Sequence, residues 1–551
     1  MDPSPDARAG TVTPLDRTLA VSPSPDVYAR RWRTLGVLCL SLMIVMVGNI
    51  SLNVALPAIA RDLDASTSDL QWMVDAYALV FAGLLFAAGT LGDRFGRKGA
   101  LQSGLVLFLV GAVLATSATT VGLVVAARAV MGVAAALVMP STLSILANVF
   151  PAEERGRAIA VWAAIAAGGG TVGPIGSGLL LEHFWWGSVF LVNVPLVVVA
   201  LVAGRWLVPT SKDPGGHPLD IPGALASIAA VGLAVYAIIE GPTHGWLSRP
   251  TAVAVAAAGV ALGLFVAREL TARSPMLDLR LFRDRRFGVA SGGIALAYFA
   301  LFGTFFLITQ YLQLVLGHTA LEAGVILLPV PAILLTVSPR IPRLVERFGP
   351  APVVGAGLSL IAAGLVAMAQ LTPHSPLALF YLAFVPMATG IAATGTPLTT
   401  LLMAAVPPGR SGIGSAMNDT SRELGGALGI AVLGSIVTSR FAAALAPATA
   451  ALPPAARDLA GTGLAGALRV AGDLPRPAAT ALAGAARGAF VEGLSTAALV
   501  AAAVAGVAAL GAAALLPRRP PVLDDVGEVV DVGEVAVITV GDAELDRDRA
   551  S

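Results

Sequence analysis

Apolar residues run through this chain in blocks of about twenty, separated by short polar turns, from residue 35 to residue 515. At 1.5 Å per residue such a block spans the hydrocarbon of a bilayer, about 30 Å. Fourteen blocks of this kind predict fourteen transmembrane helices, near 35–57, 69–90, 99–118, 121–147, 158–181, 187–208, 221–240, 251–268, 287–309, 321–338, 351–371, 377–405, 412–438 and 489–515. Several blocks are interrupted by Gly and Pro rather than by charge, as in Gly168-Gly169-Gly170-Thr171-Val172-Gly173-Pro174-Ile175-Gly176-Ser177-Gly178 of the fifth. There glycine opens a groove for close helix contact and Pro174 removes one backbone hydrogen bond.

Composition agrees with the pattern. Of 551 residues, 56% are hydrophobic and 13% charged, against about 25% charged in a soluble domain. A water-exposed fold of this size lacks the polar residues to cover itself. Cys39 is the only cysteine, which excludes disulfides and cysteine metal sites. There is no phosphate-cradling loop, no His-Glu-x-x-His, and no polar segment long enough for a nucleotide-binding domain. The five histidines all fall in or near predicted loops. Neither an enzyme nor an ATP-driven pump is expected, and nothing in the chain suggests nucleic acid as a partner.

Charge then orients the chain. Alternate connections collect Arg30, Arg31 and Arg33; Arg94, Arg97 and Lys98; Arg155 and Arg157; Arg205 and Lys212; Arg280 to Arg286; Arg340, Arg343 and Arg347; Arg410; and Arg518 and Arg519. The opposite short connections carry little beyond Arg61 and Arg249. The positive-inside rule therefore places both termini in the cytoplasm, which requires an even number of spans. A long connection, 439–488, falls on the outer side, and the segment from 516 is acidic and expected to be disordered.

A few charges lie inside the predicted spans, where each is expensive and so a functional candidate. Asp75 and Arg128 sit at similar depth, roughly 10 Å from the outer end of their spans by helical rise, which permits an ion pair between them if their helix faces point together. In span 13, Asp419 is followed by Arg422 at i+3 and Glu423 at i+4, an acid–base–acid patch near the midplane beside Asn418. Two carboxylates around one arginine need not both be ionised, so one of them is a candidate to exchange a proton, Asp419 first and Glu423 second. Asn49, Asn53, Tyr298, Phe302 and Gln310 are candidate cavity-lining groups.

The turn between spans 2 and 3, Gly89-Thr90-Leu91-Gly92-Asp93-Arg94-Phe95-Gly96-Arg97-Lys98-Gly99, closely resembles the corresponding loop of the major facilitator superfamily of secondary transporters. An eroded copy stands at Pro339-Arg340-Ile341-Pro342-Arg343-Leu344-Val345-Glu346-Arg347-Phe348-Gly349. Gly169, Gly173, Pro174 and Gly178 match the exporter signature of that superfamily, and Arg128 with Gly132 matches its basic motif, in which the arginine is implicated in proton coupling. In span 1, Asn53, Ala55, Leu56 and Pro57 match, but Gly48 stands where an aspartate is usual.

This resemblance implies an all-α membrane protein of the major facilitator fold, similar to the fourteen-span drug:proton antiporter branch. It comprises a cytoplasmic segment 1–34, a six-helix bundle 35–208, two additional helices 221–268, a second six-helix bundle 287–515 that includes the extracytoplasmic loop 439–488, and a cytoplasmic tail 516–551. It implies proton-coupled export of small drug-like or antibiotic molecules from a bacterial cytoplasmic membrane by a monomer, with protons as coupling ion and no other cofactor. In that setting Asp93, Arg94 and Lys98, with Gly89, Gly96 and Arg97, form a conformational motif. An uptake symporter or a lipid flippase is the alternative.

Overall fold

In lipid a backbone can satisfy its polar groups only within helices or a closed barrel, and the apolar blocks form helices. The computed structural model describes residues 25–211, 220–272, 275–406, 411–516, 522–523 and 529–530. The first half consists of α1 (Pro25–Asp62), α2 (Thr67–Phe95), α3 (Arg97–Thr116), α4 (Val121–Val149), α5 (Ala152–His183), the short α6 (Ser188–Leu191) and α7 (Asn193–Leu207). Two further helices follow, α8 (Ile221–His244) and α9 (Arg249–Thr271). The second half begins with α10 (Arg285–Gln310) and a span broken into α11 (Ala320–Ile326), α12 (Pro329–Val337) and α13 (Ile341–Phe348). It continues with α14 (Pro350–Met368), α15 (Leu377–Ala404) and α16 (Ser411–Thr449), the short α17 (Pro454–Gly461) and α18 (Leu464–Gly472), and α19 (Arg476–Leu515).

Thirteen helices among the described residues are long and apolar enough to cross a membrane. The remaining block, 158–181, lies within the 32-residue α5, where many side chains fall outside the described residues. The segment 439–488, expected as a long connection between spans, is largely helical. It is taken up by the extended ends of α16 and α19 with α17 and α18 between them. Its alanine content favours helix even beyond the lipid. Of the acidic tail, apart from Leu516, only a two-residue antiparallel strand pair, Val522 with Val530 and Leu523 with Val529, is described. The segment 1–24 is likewise outside the described residues.

The turn at Gly96 joins α2 to α3 with φ +119°, and Gly349 joins α13 to α14 with φ +84°. Both sit in the left-handed region that favours glycine, so the two copies of the loop signature put glycine to the same use. Gly89, Gly92 and Gly99 are not pressed: a Cβ at Gly89 or Gly92 would meet only ordinary contacts, and at Gly99 open space. At the opposite end of the bundle, Ser66 and Asp69 cap α2 reciprocally, the Ser66 hydroxyl accepting from Asp69 N at 3.1 Å and the Asp69 carboxylate accepting from Ser66 N at 2.8 Å.

Within the first half α2 packs on α4, α3 on α4 and α7, and α1 on α5; within the second, α10 packs on α16, and α14 on α15 and α19. Bonds between the halves gather at the end holding the α1–α2 turn. Thr67 N donates to Thr462 O at 2.9 Å, Gln313 Nε2 to Val54 O at 3.0 Å and Thr319 Oγ1 to Glu182 Oε1 at 3.0 Å, and Asp64 pairs with Arg469. The added pair is not an outrigger. α9 packs chiefly on α8, while α8 packs on both α2 and α16.

Candidate functional site

Between the halves lies a cavity of about 140 Å³. α1 and α2 form one wall with Asn49, Ile50, Asn53, Val74 and Ala78, and α16 faces them with Glu423, Gly426, Ala427 and Ile430. α10 adds Leu301, Phe302 and Phe305, and the broken α11–α12 span adds Val330, Pro331 and Leu334. Among the described residues the lining is apolar except for two asparagines and one carboxyl. A few polar groups in an apolar cleft fix a ligand's orientation, while apolar breadth supplies most of the attraction.

Glycine sets how closely these walls approach. A Cβ at Gly425 would lie 2.1 Å from Ala295 O and one at Gly429 2.2 Å from Phe299 O, so α10 and α16 touch backbone to backbone. Gly426 leaves the space that Phe302 fills; a Cβ there would fall 2.1 Å from its ring. Across the halves, Gly178 packs on Leu321 Cα at 2.5 Å from its ideal Cβ, and Gly324 on Pro174 O at 2.8 Å. Thus Pro174 and Gly178 of the glycine-rich span meet α11 of the other half, while Gly169 and Gly173 pack against α1 beside Met46 and Ser51.

Arg128 is fully buried one layer behind the cavity. It donates from Nε to Met73 O (3.1 Å), from Nη1 to Gly48 O (2.9 Å) and from Nη2 to Asn49 Oδ1 (3.4 Å), and its guanidinium lies 4.3 Å from the Tyr77 ring centroid. The ion pair with Asp75 that equal depth permits does not form. On α2, Asp75 lies one turn after Gln71 and Trp72 and one turn before Ala78 and Leu79, on the stripe that meets α8 and α16. α4 instead meets the backbone of Tyr77 and Phe81, where Gly132 allows close approach. Depth along the membrane agreed; helix rotation separated the two. Asp75 is fully buried and neither of its carboxyl oxygens has a hydrogen-bond partner.

The acid–base–acid patch of α16 also divides. Arg422 Nη1 pairs with Asp419 Oδ1 at 3.7 Å and its guanidinium lies 4.7 Å from the Tyr298 ring centroid. Asn418 donates to Asp419 at 3.2 Å and accepts from Thr399 Oγ1 at 2.8 Å. Glu423 takes no part in that network: it faces the cavity, with Oε2 unpartnered. Asn49, Asn53 and Phe302 line the cavity as expected, whereas Tyr298 sits beneath Arg422 and buried Gln310 donates to Phe306 O at 3.3 Å, so neither reaches it, nor does Asn418.

At Gly48, where the resemblance calls for a carboxylate, a Cβ would fall 2.6 Å from Phe108 Cζ. Phe108 fills that space, and the Gly48 carbonyl accepts from Arg128 Nη1. In the turn after α2, Lys98 Nζ donates to Arg205 O at 2.8 Å and Arg97 N to Ser211 O at 2.9 Å, fastening the signature to the end of α7. Arg94 is exposed, and the side chain of Asp93 lies outside the described residues. Reading the sequence missed Gln71, Val330, Pro331 and Leu334. The Gly425-Gly426 and Gly429 spacing was the available signal for the α10–α16 contact.

A multi-pass bundle in two similar halves around a central, largely apolar cleft is a membrane transporter, not an enzyme. The chain belongs to the Major Facilitator Superfamily, whose family model matches residues 38–430. It is 38% identical over 474 residues to the multidrug efflux pump LfrA of Mycolicibacterium smegmatis, covering 86% of this chain and 94% of that protein. It is 32% identical over 510 residues to the tetracenomycin C resistance and export protein of Streptomyces glaucescens, covering 91% and 94%. Among solved structures, an inward-facing, unoccupied bacterial homolog of the human lysosomal transporter Spinster matches with TM-score 0.61 at 18% identity, over 90% of this chain and 99% of that one. At that identity the likeness shows the fold alone.

Proposed function

We propose that this protein exports small amphiphilic drugs or antibiotics from the bacterial cytoplasm in exchange for protons. The observation that carries the reading is the cavity shared by both halves, apolar on nearly every side, with Glu423 as its one carboxyl group among the described residues. Relatives named as a multidrug efflux pump and an antibiotic export protein support the direction. The arginine-rich end at Gly96 and Gly349 is cytoplasmic in this reading. The end tied shut by Thr67, Gln313 and Thr319 then faces outward, so the cavity is closed on the outside.

Alternating access gives the buried acids their use. A carboxylate buried without a partner costs several kcal/mol, a cost that a bound proton removes. Glu423 can exchange its proton for a substrate whenever the cavity opens, and Asp75 can do so when the seam around it loosens. One charge crossing 100 mV supplies about 2.3 kcal/mol. Everted membrane vesicles test the reading: an acid-inside ΔpH should drive accumulation of a fluorescent amphiphilic dye, and collapse of ΔpH should release it. Accumulation indifferent to ΔpH would remove the proton exchange, and no accumulation of any amphiphile would remove export.

A further inference from the structure

The two helices inserted between the halves are given no task by the transport reading, yet α8 makes specific bonds to both halves. Three helices meet near the closed end, and each pair is joined by a side-chain hydrogen bond. From α2, fully buried Gln71 donates through Nε2 to Ile430 O and Ala431 O of α16, both at 2.9 Å. From α16, Ser435 Oγ donates to Ile238 O of α8 at 2.6 Å. Trp72 Nε1 of α2 closes the triangle by donating to Glu240 Oε1 of α8 at 3.0 Å. Gly434 is what lets Gln71 reach: a Cβ there would fall 2.4 Å from the amide nitrogen. An apolar cluster of Ala78 and Leu79 from α2, Val235 and Ile239 from α8, and Ala427 and Ala431 from α16 fills the space inside.

The bonds differ in what they join. Gln71 links one half to the other, and Ser435 links the second half to α8, so both cross the seam that must part when the outer end opens. Trp72 links α8 to the first half. That half also holds α8 about eleven residues further down α2, where Ile228 packs into the notch left by Gly83, its Cγ1 2.2 Å from an ideal Cβ. At about 1.5 Å per residue the two grips on α2 stand roughly 16 Å apart. Two grips that far apart fix the rotation of α8 against α2, whereas against α16 the Ser435 bond and the packing of Val235 and Ile239 on Ala427 and Ala431 lie together within about two turns of that helix.

We propose that α8 is a working part of the outer gate. It travels with the first half as a rigid strap and is released from α16 when Gln71 and Ser435 let go. The proposal rests on alternating access and goes beyond it by giving the inserted pair a share in gating.

Cross-linking distinguishes this from a passive, lipid-facing addition. In a Cys39→Ser background, the pair Gly83→Cys with Ile228→Cys ties α8 to α2, and the pair Ile239→Cys with Ala431→Cys ties α8 to α16. After a short thiol-specific cross-linker, the first pair should keep at least half of the reduced protein's dye transport. The second should lose at least about tenfold, recovered on reduction. The opposite pattern, or equal tolerance of both cross-links, overturns the proposal.

A readout independent of transport uses Ile50→Cys, which lines the cavity, and a membrane-impermeant thiol reagent added from outside. Gln71→Ala and Ser435→Ala should each raise its labelling rate severalfold, about 5–10-fold for a hydrogen bond of ordinary net strength, and Trp72→Phe should raise it less. Unchanged labelling in all three variants overturns the gate even where transport persists. Absence of transport in the reduced double-cysteine proteins, with labelling still responsive, counts against the export reading and not against the gate.

Discussion

Each half sets an arginine among its membrane helices against a tyrosine ring, Arg128 fully buried and Arg422 partly exposed, and the two are neutralised differently. Arg128 lies over Tyr77 and finds its acceptors in two backbone carbonyls and one amide oxygen, with no carboxylate bonded to it. Arg422 lies over Tyr298 and is paired with Asp419. The first is a fixed cation, since carbonyl dipoles do not titrate. The second belongs to a network whose acid can. The cavity is thus flanked by a positive charge behind Asn49 and faced by a carboxyl at Glu423.

Breaking the fixed cation has the largest expected effect. Arg128→Lys keeps the charge but cannot reach Met73, Gly48 and Asn49 together, and a hydrogen bond to a charged group contributes about 1.5–3 kcal/mol. Vesicle transport should fall by more than tenfold with the protein still in the membrane; retention of half the activity would make the two arginines equivalent. Next in size is Glu423→Gln, which keeps the shape of the cavity and removes its titrating group. ΔpH-driven accumulation should be lost while dye binding to the purified protein, read by fluorescence polarisation, persists within a few-fold. Loss of binding and transport together would assign Glu423 to the ligand rather than to the proton.

Gly425→Ala sharpens the same contrast through packing. Its Cβ would meet Ala295 O, a backbone atom that cannot step aside, and overpacking of this kind costs about 1–3 kcal/mol. A fall in melting temperature of the detergent-solubilised protein is expected, larger than for Gly99→Ala, which points into open space. Asp419→Asn is expected to act more mildly, lowering transport severalfold, because Asn418 and the Tyr298 ring still hold Arg422's surroundings. The smallest effect belongs to Arg31 and Glu154, at the arginine-rich end outside the spans. There Arg31 Nε bonds Glu154 Oε2 at 2.7 Å and holds the Glu154 carboxyl below the usual carboxylate range. A depressed folded pKa means the pairing is present at neutral pH and lost only as pH falls through that value. Glu154→Gln removes the pair at pH 7 as well, but a partly exposed ion pair screened by water contributes little, so transport should stay within about twofold.

Where the chain crosses the membrane was legible because the requirement is local: twenty apolar residues in a row need no partner to be identified. The turn at Gly96 was equally legible, its charges being excluded from hydrocarbon wherever the helices go. Whether Asp75 and Arg128 meet was not legible, for a different reason. Depth follows from counting residues, but facing direction turns 100° per residue, and α4 is apolar on all sides, so nothing in its pattern tells which face meets which neighbour. The same blindness hid Gln71, a polar residue in an apolar run whose partners are backbone carbonyls some 360 positions away.

By itself the sequence determined the all-helical membrane class, most of the span positions, the arginine-rich end and the short list of buried charges, since each is decided by the cost of placing a given side chain in lipid. Only the tertiary structure decided which charges meet, that Glu423 rather than Asp419 faces the cleft, and that α8 binds both halves. Those outcomes depend on helix rotation and on contacts between distant segments, set by close packing at Gly132, Gly425 and Gly434, and no local preference encodes them.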